Sequence, residues 1–169
     1  MAQSDHGGGN PGWLSAPLPS WAEARQHIYN LRVYFEDTDA AGLVYHASYI
    51  RFAERARTEC LRDLGMPHAD LMEHHGFIFV VRRVEVDYLR PARLDDALSV
   101  VTSVAALGGA SVTLSQNVAV GGMTSAALRV VLVCMRRSDG KPVRIPEPWR
   151  GAFQALLPVE EVEDARSGD

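Results

Sequence analysis

The chain is poor in the residues that would give the simplest accounts of its function. Two cysteines, Cys60 and Cys134, occur in 169 residues, too few and too far apart for a disulfide framework or a cysteine-based zinc site. Both sit in apolar stretches, so they are read as buried thiols in a reducing compartment. No uninterrupted apolar run of about 18 residues occurs, and no ordinary membrane-spanning helix is expected. Basic residues are not in excess: 17 Lys and Arg stand against 21 Asp and Glu, a formal net charge of -4. Such a chain has no global positive field, which argues against nucleic acid as a partner. No internal repeat is found. The N-terminus lacks a basic segment followed by an apolar one, so it does not read as a secretory signal, and a cytoplasmic location is expected.

What is present is a chain of one-domain size with 47% hydrophobic residues, enough for a substantial core. Residues 1–27 read as a flexible leader rich in Gly, Pro and Ser, in which Trp13, Leu14 and Trp21 could dock on a surface. A single domain is expected over 28–157, and residues 158–169 read as a solvated acidic tail.

Within the domain, 28–36 alternates as a strand does and 37–46 reads as a loop containing Gly42. From 47 to 64 the period becomes helical, with Tyr49, Ala53, Ala56, Cys60 and Leu64 on one face, joined by Ile50 and Leu61. Ser48 is the candidate N-cap, Arg55 and Glu59 form a candidate i,i+4 surface pair, and Gly65 with Pro67 marks the stop. The period then falls to two for four strands. "FIFVVRRVEVDYL" is followed by "ALSVVTSVAAL", a turn at Gly108 and Gly109, "SVTLSQNVAV", and a turn at Gly121 and Gly122. "TSAALRVVLVCM" is nearly continuous in apolar residues, which predicts a central strand buried on both faces. "EPWRGAFQALL" reads as a short closing helix with Trp149, Phe153 and Leu156 or Leu157 on one side. The expected class is α+β, an antiparallel sheet curled around one long helix. One sheet and one helix leave little room for an enclosed site, so a small-molecule site is expected between two copies of the chain.

The segment "VYFEDTDAAGLVYHASYIRFAERARTECL" carries the candidate chemistry. It places Glu36, Asp37 and Asp39 in a loop and His46 at the start of a helix. Glu36 and Asp37 are read as structural or solvated. From local sequence alone, Asp39 is equally an Asx-turn residue or a functional carboxylate. His74 and His75 lack metal-ligand spacing to any partner, are read as exposed loop histidines, and no metal is implied.

This segment, extended to Gly65, resembles the signature of the YbgC-type acyl-CoA thioesterases, members of the 4-hydroxybenzoyl-CoA thioesterase group of hotdog-fold enzymes. A second block, "FVVRRVEVDYLRPARLDD" at 79–96, resembles the same family's second strand and turn, and the similarity spans about 29–155. The resemblance implies a hotdog fold and hydrolysis of acyl-CoA thioesters to free acid and coenzyme A. Asp39 then corresponds to the catalytic carboxylate, as nucleophile or as general base. The backbone amide of His46, seven residues on, corresponds to the group that polarises the thioester carbonyl. For the His46 side chain two readings stand: contact with substrate or Asp39, or no role beyond its backbone. Tyr45 is assigned to the acyl pocket, with a plain core role as the alternative. Arg82 and Arg83, together with Arg90 and Arg93, are candidates for the phosphates of coenzyme A, against exposed edge charge. Glu54 and Glu59 are read as ordinary helix-face residues, although another hotdog branch uses a helix glutamate. No cofactor beyond the coenzyme A of the substrate is implied. The expected assembly is a homo-oligomer of dimers, a tetramer, with acyl-carrier protein or the Tol-Pal envelope system as candidate partners. Two departures from the pattern are the leader and "DAAG" where "DAGG" is common, which puts Ala41 in a turn. The rival readings are a non-catalytic acyl-CoA or acyl-carrier binding module and a hotdog enoyl-CoA hydratase. The hydratases pair aspartate and histidine about five residues apart, a spacing this chain does not match.

Overall fold

A computed structural model describes residues 25–158. The expected leader, apart from its last three residues, and the acidic tail after Pro158 lie outside them. The elements run β1 (His27–Arg32), a 3-10 turn (Phe35–Asp37), α1 (His46–Asp63), α2 (His68–His75), β2 (Phe77–Tyr88), β3 (Ala97–Leu107), β4 (Ser111–Val120), β5 (Met123–Arg136) and α3 (Trp149–Ala155). The five strands form one antiparallel sheet in the order β1-β3-β4-β5-β2. This is the hotdog arrangement, a sheet packed around one long helix.

The helix buries the face its periodicity marks. Tyr49, Ala53, Ala56, Cys60 and Leu61 are buried and Ile50 and Leu64 are partly so. Phe52, which the stripe omits, is fully buried as well. Against them stand Val100, Val104, Leu114, Val118, Leu128 and Val130 from the inward positions of β3, β4 and β5. The small Ala53 and Ala56 let the helix backbone approach the sheet. Gln116 of β4, wholly buried, uses that approach to donate from Nε2 to the Ala53 carbonyl at 2.8 Å and to Thr102 Oγ1 at 3.0 Å.

Several expectations are corrected. The first strand ends at Arg32, not near residue 36. Beyond it Asp37 turns the chain back: its Oδ2 accepts from Tyr34 N at 3.0 Å while Asp37 N donates to the Tyr34 carbonyl. Ser48 does not cap α1, because the helix starts two residues earlier with Tyr45 at the N-cap and no side-chain cap. Glu59 pairs with Arg62, the i,i+3 neighbour, and not with Arg55. The histidines His74 and His75 are exposed as expected but lie on an unforeseen helix, α2, closed by Gly76 at φ 65°. The continuous apolar run of β5 is an interior strand, as expected, flanked by β4 and β2, but its outward face is only partly buried: Ser125 and Val133 are covered, Ala127 and Val131 half so, and Arg129 is exposed.

The edge strand β2 positions the rest of the argument. It is 12 residues long, pairs among the described residues with β5 alone, and carries a bulge at Arg82 between the pairs Val81 with Leu132 and Arg83 with Val131. The bulge resets the alternation, so Phe77, Phe79 and Val81 before it share the helix-side face with Val84, Val86 and Tyr88 after it.

Candidate active site

The loop before α1 is a tight hairpin. Asp39 N donates to the Leu43 carbonyl at 2.8 Å and Gly42 N to the Asp39 carbonyl at 3.0 Å, with Thr38 bridged to Val44. Gly42 takes φ 73°, a left-handed conformation that glycine adopts without strain. Ala41 is not at positive φ, so alanine in "DAAG" costs the loop nothing there. The hairpin is anchored outward by Val44 N on the Ala92 carbonyl and inward by the Asp37 carbonyl, which accepts from Tyr45 N at 2.8 Å and Ser48 Oγ at 3.0 Å.

Both readings of Asp39 meet in this geometry. One carboxylate oxygen, Oδ1, accepts from Ala41 N at 2.8 Å and Leu43 N at 3.3 Å, as in an Asx-turn. The other, Oδ2, accepts from no donor among the described residues. Asp39 is thus oriented through one oxygen and open through the other.

Asp39 borders a cavity of about 450 Å³ that is also lined by Tyr45, His46, Tyr49, Tyr88 and Arg90, among others. His46 is the first residue of α1, and its N–H has no acceptor among the described residues. Unpaired N–H groups at the positive end of an 18-residue helix favour a developing negative charge. The His46 side chain makes no hydrogen bond to Asp39 and lies in ring contact with Tyr45 and Tyr88, at centroid distances of 4.3 and 6.4 Å. Tyr88, which the sequence reading did not single out for the site, donates its hydroxyl to the His46 carbonyl at 3.0 Å and so ties β2 to the helix start. Its even spacing with Val84 and Val86 was the available signal. Tyr49 accepts from Ala92 N at 2.9 Å, and burial raises its pKa, which keeps the phenol neutral.

The remaining candidates separate. Arg90 borders the cavity and donates to the Thr124 carbonyl at 3.3 Å. Arg82 and Arg83 do not border it: both are exposed on β2, and Arg83 pairs with Glu85 at 2.6 Å. Glu36 is exposed, whereas Asp37 is buried and structural. Cys60 and Cys134 are buried free thiols, their pKa values pushed up by burial to about 12 and about 11. Among the described residues no three His, Cys, Asp or Glu side chains gather as a metal ion would need, and no helix is long and apolar enough to cross a membrane.

A sheet curled on one helix, with a loop carboxylate and the helix N-terminus bordering one cavity, defines a hotdog-fold protein with a candidate active site at the helix start. Residues 33–153 match the thioesterase-like superfamily. Over 128 residues the chain is 40% identical to the acyl-CoA thioesterase YbgC of Haemophilus influenzae, covering 76% of this chain and 94% of that one. It is 42% identical over 125 residues to the acyl-CoA thioester hydrolase YbgC of Escherichia coli O6:H1, covering 73% and 92%. A crystal structure of a probable thioesterase from Bartonella henselae superposes with a TM-score of 0.68 at 37% identity, over 72% of this chain and 99% of that one. The chain belongs to the YbgC-type acyl-CoA thioesterase family.

Proposed function

We propose that the protein hydrolyses acyl-CoA thioesters to free acid and coenzyme A. The observation that carries this reading is the pairing, in one cavity, of a carboxylate with one free oxygen and a helix N-terminus with a free N–H. A thioester carbonyl held between them is polarised by the His46 amide. Asp39 then either attacks it, breaking the C–S bond to release the coenzyme A thiolate and leave a mixed anhydride that water opens, or takes a proton from the attacking water, whose tetrahedral adduct collapses to the acid and expels the thiolate. Tyr45 and Tyr88 form an aromatic wall for the acyl group. Arg90, on the border of the cavity, is better placed than Arg82 or Arg83 for a phosphate of the coenzyme.

The working unit is a homodimer joined along β2, and pairing of such dimers gives the tetramer. Asp39, Tyr45 and His46 are exposed in one chain, whereas charge stabilisation of this kind is strongest where water is excluded. The 12-residue edge of β2, with Val81 48% exposed, supplies a backbone row unpaired among the described residues that a second copy can cover.

The test is release of free thiol from short aliphatic, long aliphatic and hydroxybenzoyl-CoA, beside an enoyl-CoA hydration assay, with light scattering on the eluting protein. Thiol release from at least one substrate by a dimer or larger species supports the reading. Tight acyl-CoA binding without turnover, or hydration without hydrolysis, overturns it.

A further inference from the structure

A second cavity of about 390 Å³ opens between the middle of α1, the start of α2 and the first half of β2. Its walls include Phe79, Val81 and Leu132, and its charged or titratable groups are Glu54, Arg57 and His68. None of the residues assigned above to the reaction lies in it. Arg57 is half-buried, yet among the described residues it makes no hydrogen bond and no ion pair within 4.0 Å. Burial lowers its pKa, and the opposing charge of Glu54, on the same helix, only partly offsets that. His68 stands edge-on to Phe79 with ring centroids 6.2 Å apart, and burial with the nearby Arg57 holds its pKa below the usual value, so it is neutral at pH 7. A guanidinium withdrawn from water without a partner is unfavourable unless an acceptor reaches it.

The geometry of β2 says where an acceptor can come from. The first cavity lies at its Tyr88 end and the second at its Phe79 and Val81 end, and these three residues share the helix-side face. Two copies paired antiparallel along this edge, about a twofold axis near Arg82, set the Tyr88 end of each beside the Phe79 end of the other. In that pairing the first cavity of one protomer and the second cavity of its partner lie on the same face of the joined sheet, side by side.

We propose that the acyl group held at Asp39 of one protomer extends into the second cavity of the partner, where Arg57 selects acyl groups whose far end bears a hydrogen-bond acceptor, a carboxylate above all. His68 and the apolar walls flank the chain on its way. A carboxylate there gains a charge-assisted, bidentate partner, whereas a plain alkyl end leaves the guanidinium unpaired. This assignment rests on the thioesterase reading and the β2 dimer.

The test compares hexanoyl-CoA with adipoyl-CoA, which differ in the terminal carboxylate, on the wild type and on Arg57→Met. The wild type is expected to favour adipoyl-CoA by about tenfold or more in kcat/KM. Arg57→Met is expected to abolish that preference while hexanoyl-CoA turnover stays within a few-fold of the wild type. Equal kcat/KM for the two substrates in the wild type overturns the proposal. So does a mutant that lowers both substrates alike, since Arg57 would then serve the fold or the interface. Calorimetric binding of two uncleavable thioethers, S-hexyl-CoA and S-(5-carboxypentyl)-CoA, asks the same question without turnover. Tighter binding of the carboxylated compound, lost in Arg57→Met or, where that variant misfolds, in Arg57→Gln, sustains the proposal even if no substrate is hydrolysed. Equal binding overturns it.

Discussion

Ser48→Ala tests how the loop bearing Asp39 is held to the helix. Ser48 is fully buried, donates its hydroxyl to the Asp37 carbonyl at 3.0 Å and accepts from Arg51 Nη2 at 2.8 Å. Alanine removes both bonds but leaves no group orphaned. The Asp37 carbonyl keeps its bond from Tyr45 N, and Arg51, which is exposed, returns to water. The cost is therefore that of one ordinary buried hydrogen bond, about 1 kcal/mol, or roughly 2–4 °C in melting temperature for a chain of this size. Activity should fall by less than about tenfold, because Asp39 keeps its own bonds within the hairpin. Thermal melts by circular dichroism and thiol release on the same preparation measure both. A melting temperature unchanged within error, or an activity loss of a thousandfold, would refute this account of the tie.

Gln116→Leu removes two buried bonds to α1 and β3 and should destabilise the fold by about 1–3 kcal/mol in urea unfolding; no loss would mean that apolar packing alone seats the helix. Gly42→Ala meets open space at its Cβ, so only the φ of 73° is penalised, about 1–2 kcal/mol, with activity reduced through the loop; an unaffected melting curve would contradict this. Cys60 and Cys134 should resist thiol reagents at pH 8 until the chain unfolds, because burial keeps them protonated. With folded pKa values above the ordinary thiol value of 9.0, the unfolded chain ionises first. The thiols' contribution to stability is then constant below about pH 9 and falls as pH rises from there toward 11, so a contribution that rose over that range, measured against Cys60→Ala and Cys134→Ala, would reverse the sign.

The parts of the fold that the sequence made legible are those in which period and punctuation agree. β3 and β4 lie where alternation and paired glycines placed them, and α1 buries its small-residue stripe. The misreadings fall where tertiary bonds outweigh local pattern. β1 stops at Arg32 because the Asp37 side chain folds the chain back on Tyr34, a contact no alternation reveals. α1 starts at His46, with Tyr45 as its N-cap, where the Asp37 carbonyl and not a capping side chain receives the Tyr45 amide. The candidate site was legible as a motif around Asp39 and His46. Arg90 was one of four arginines read as candidates for a phosphate, with nothing to single it out, and Tyr88 was not read as part of the site, since both come to the cavity only when β2 packs beside the helix start.

The most direct test of the central claim is thiol release by Asp39→Asn beside the wild type, with circular dichroism to confirm that the fold is kept. Asparagine retains a carbonyl oxygen able to accept from Ala41 N and Leu43 N, so the hairpin should stand while the free carboxylate oxygen is lost. A folded variant whose kcat falls at least about a hundredfold is the predicted result. A folded variant turning over within a few-fold of the wild type would contradict the account and move the chemistry away from this loop.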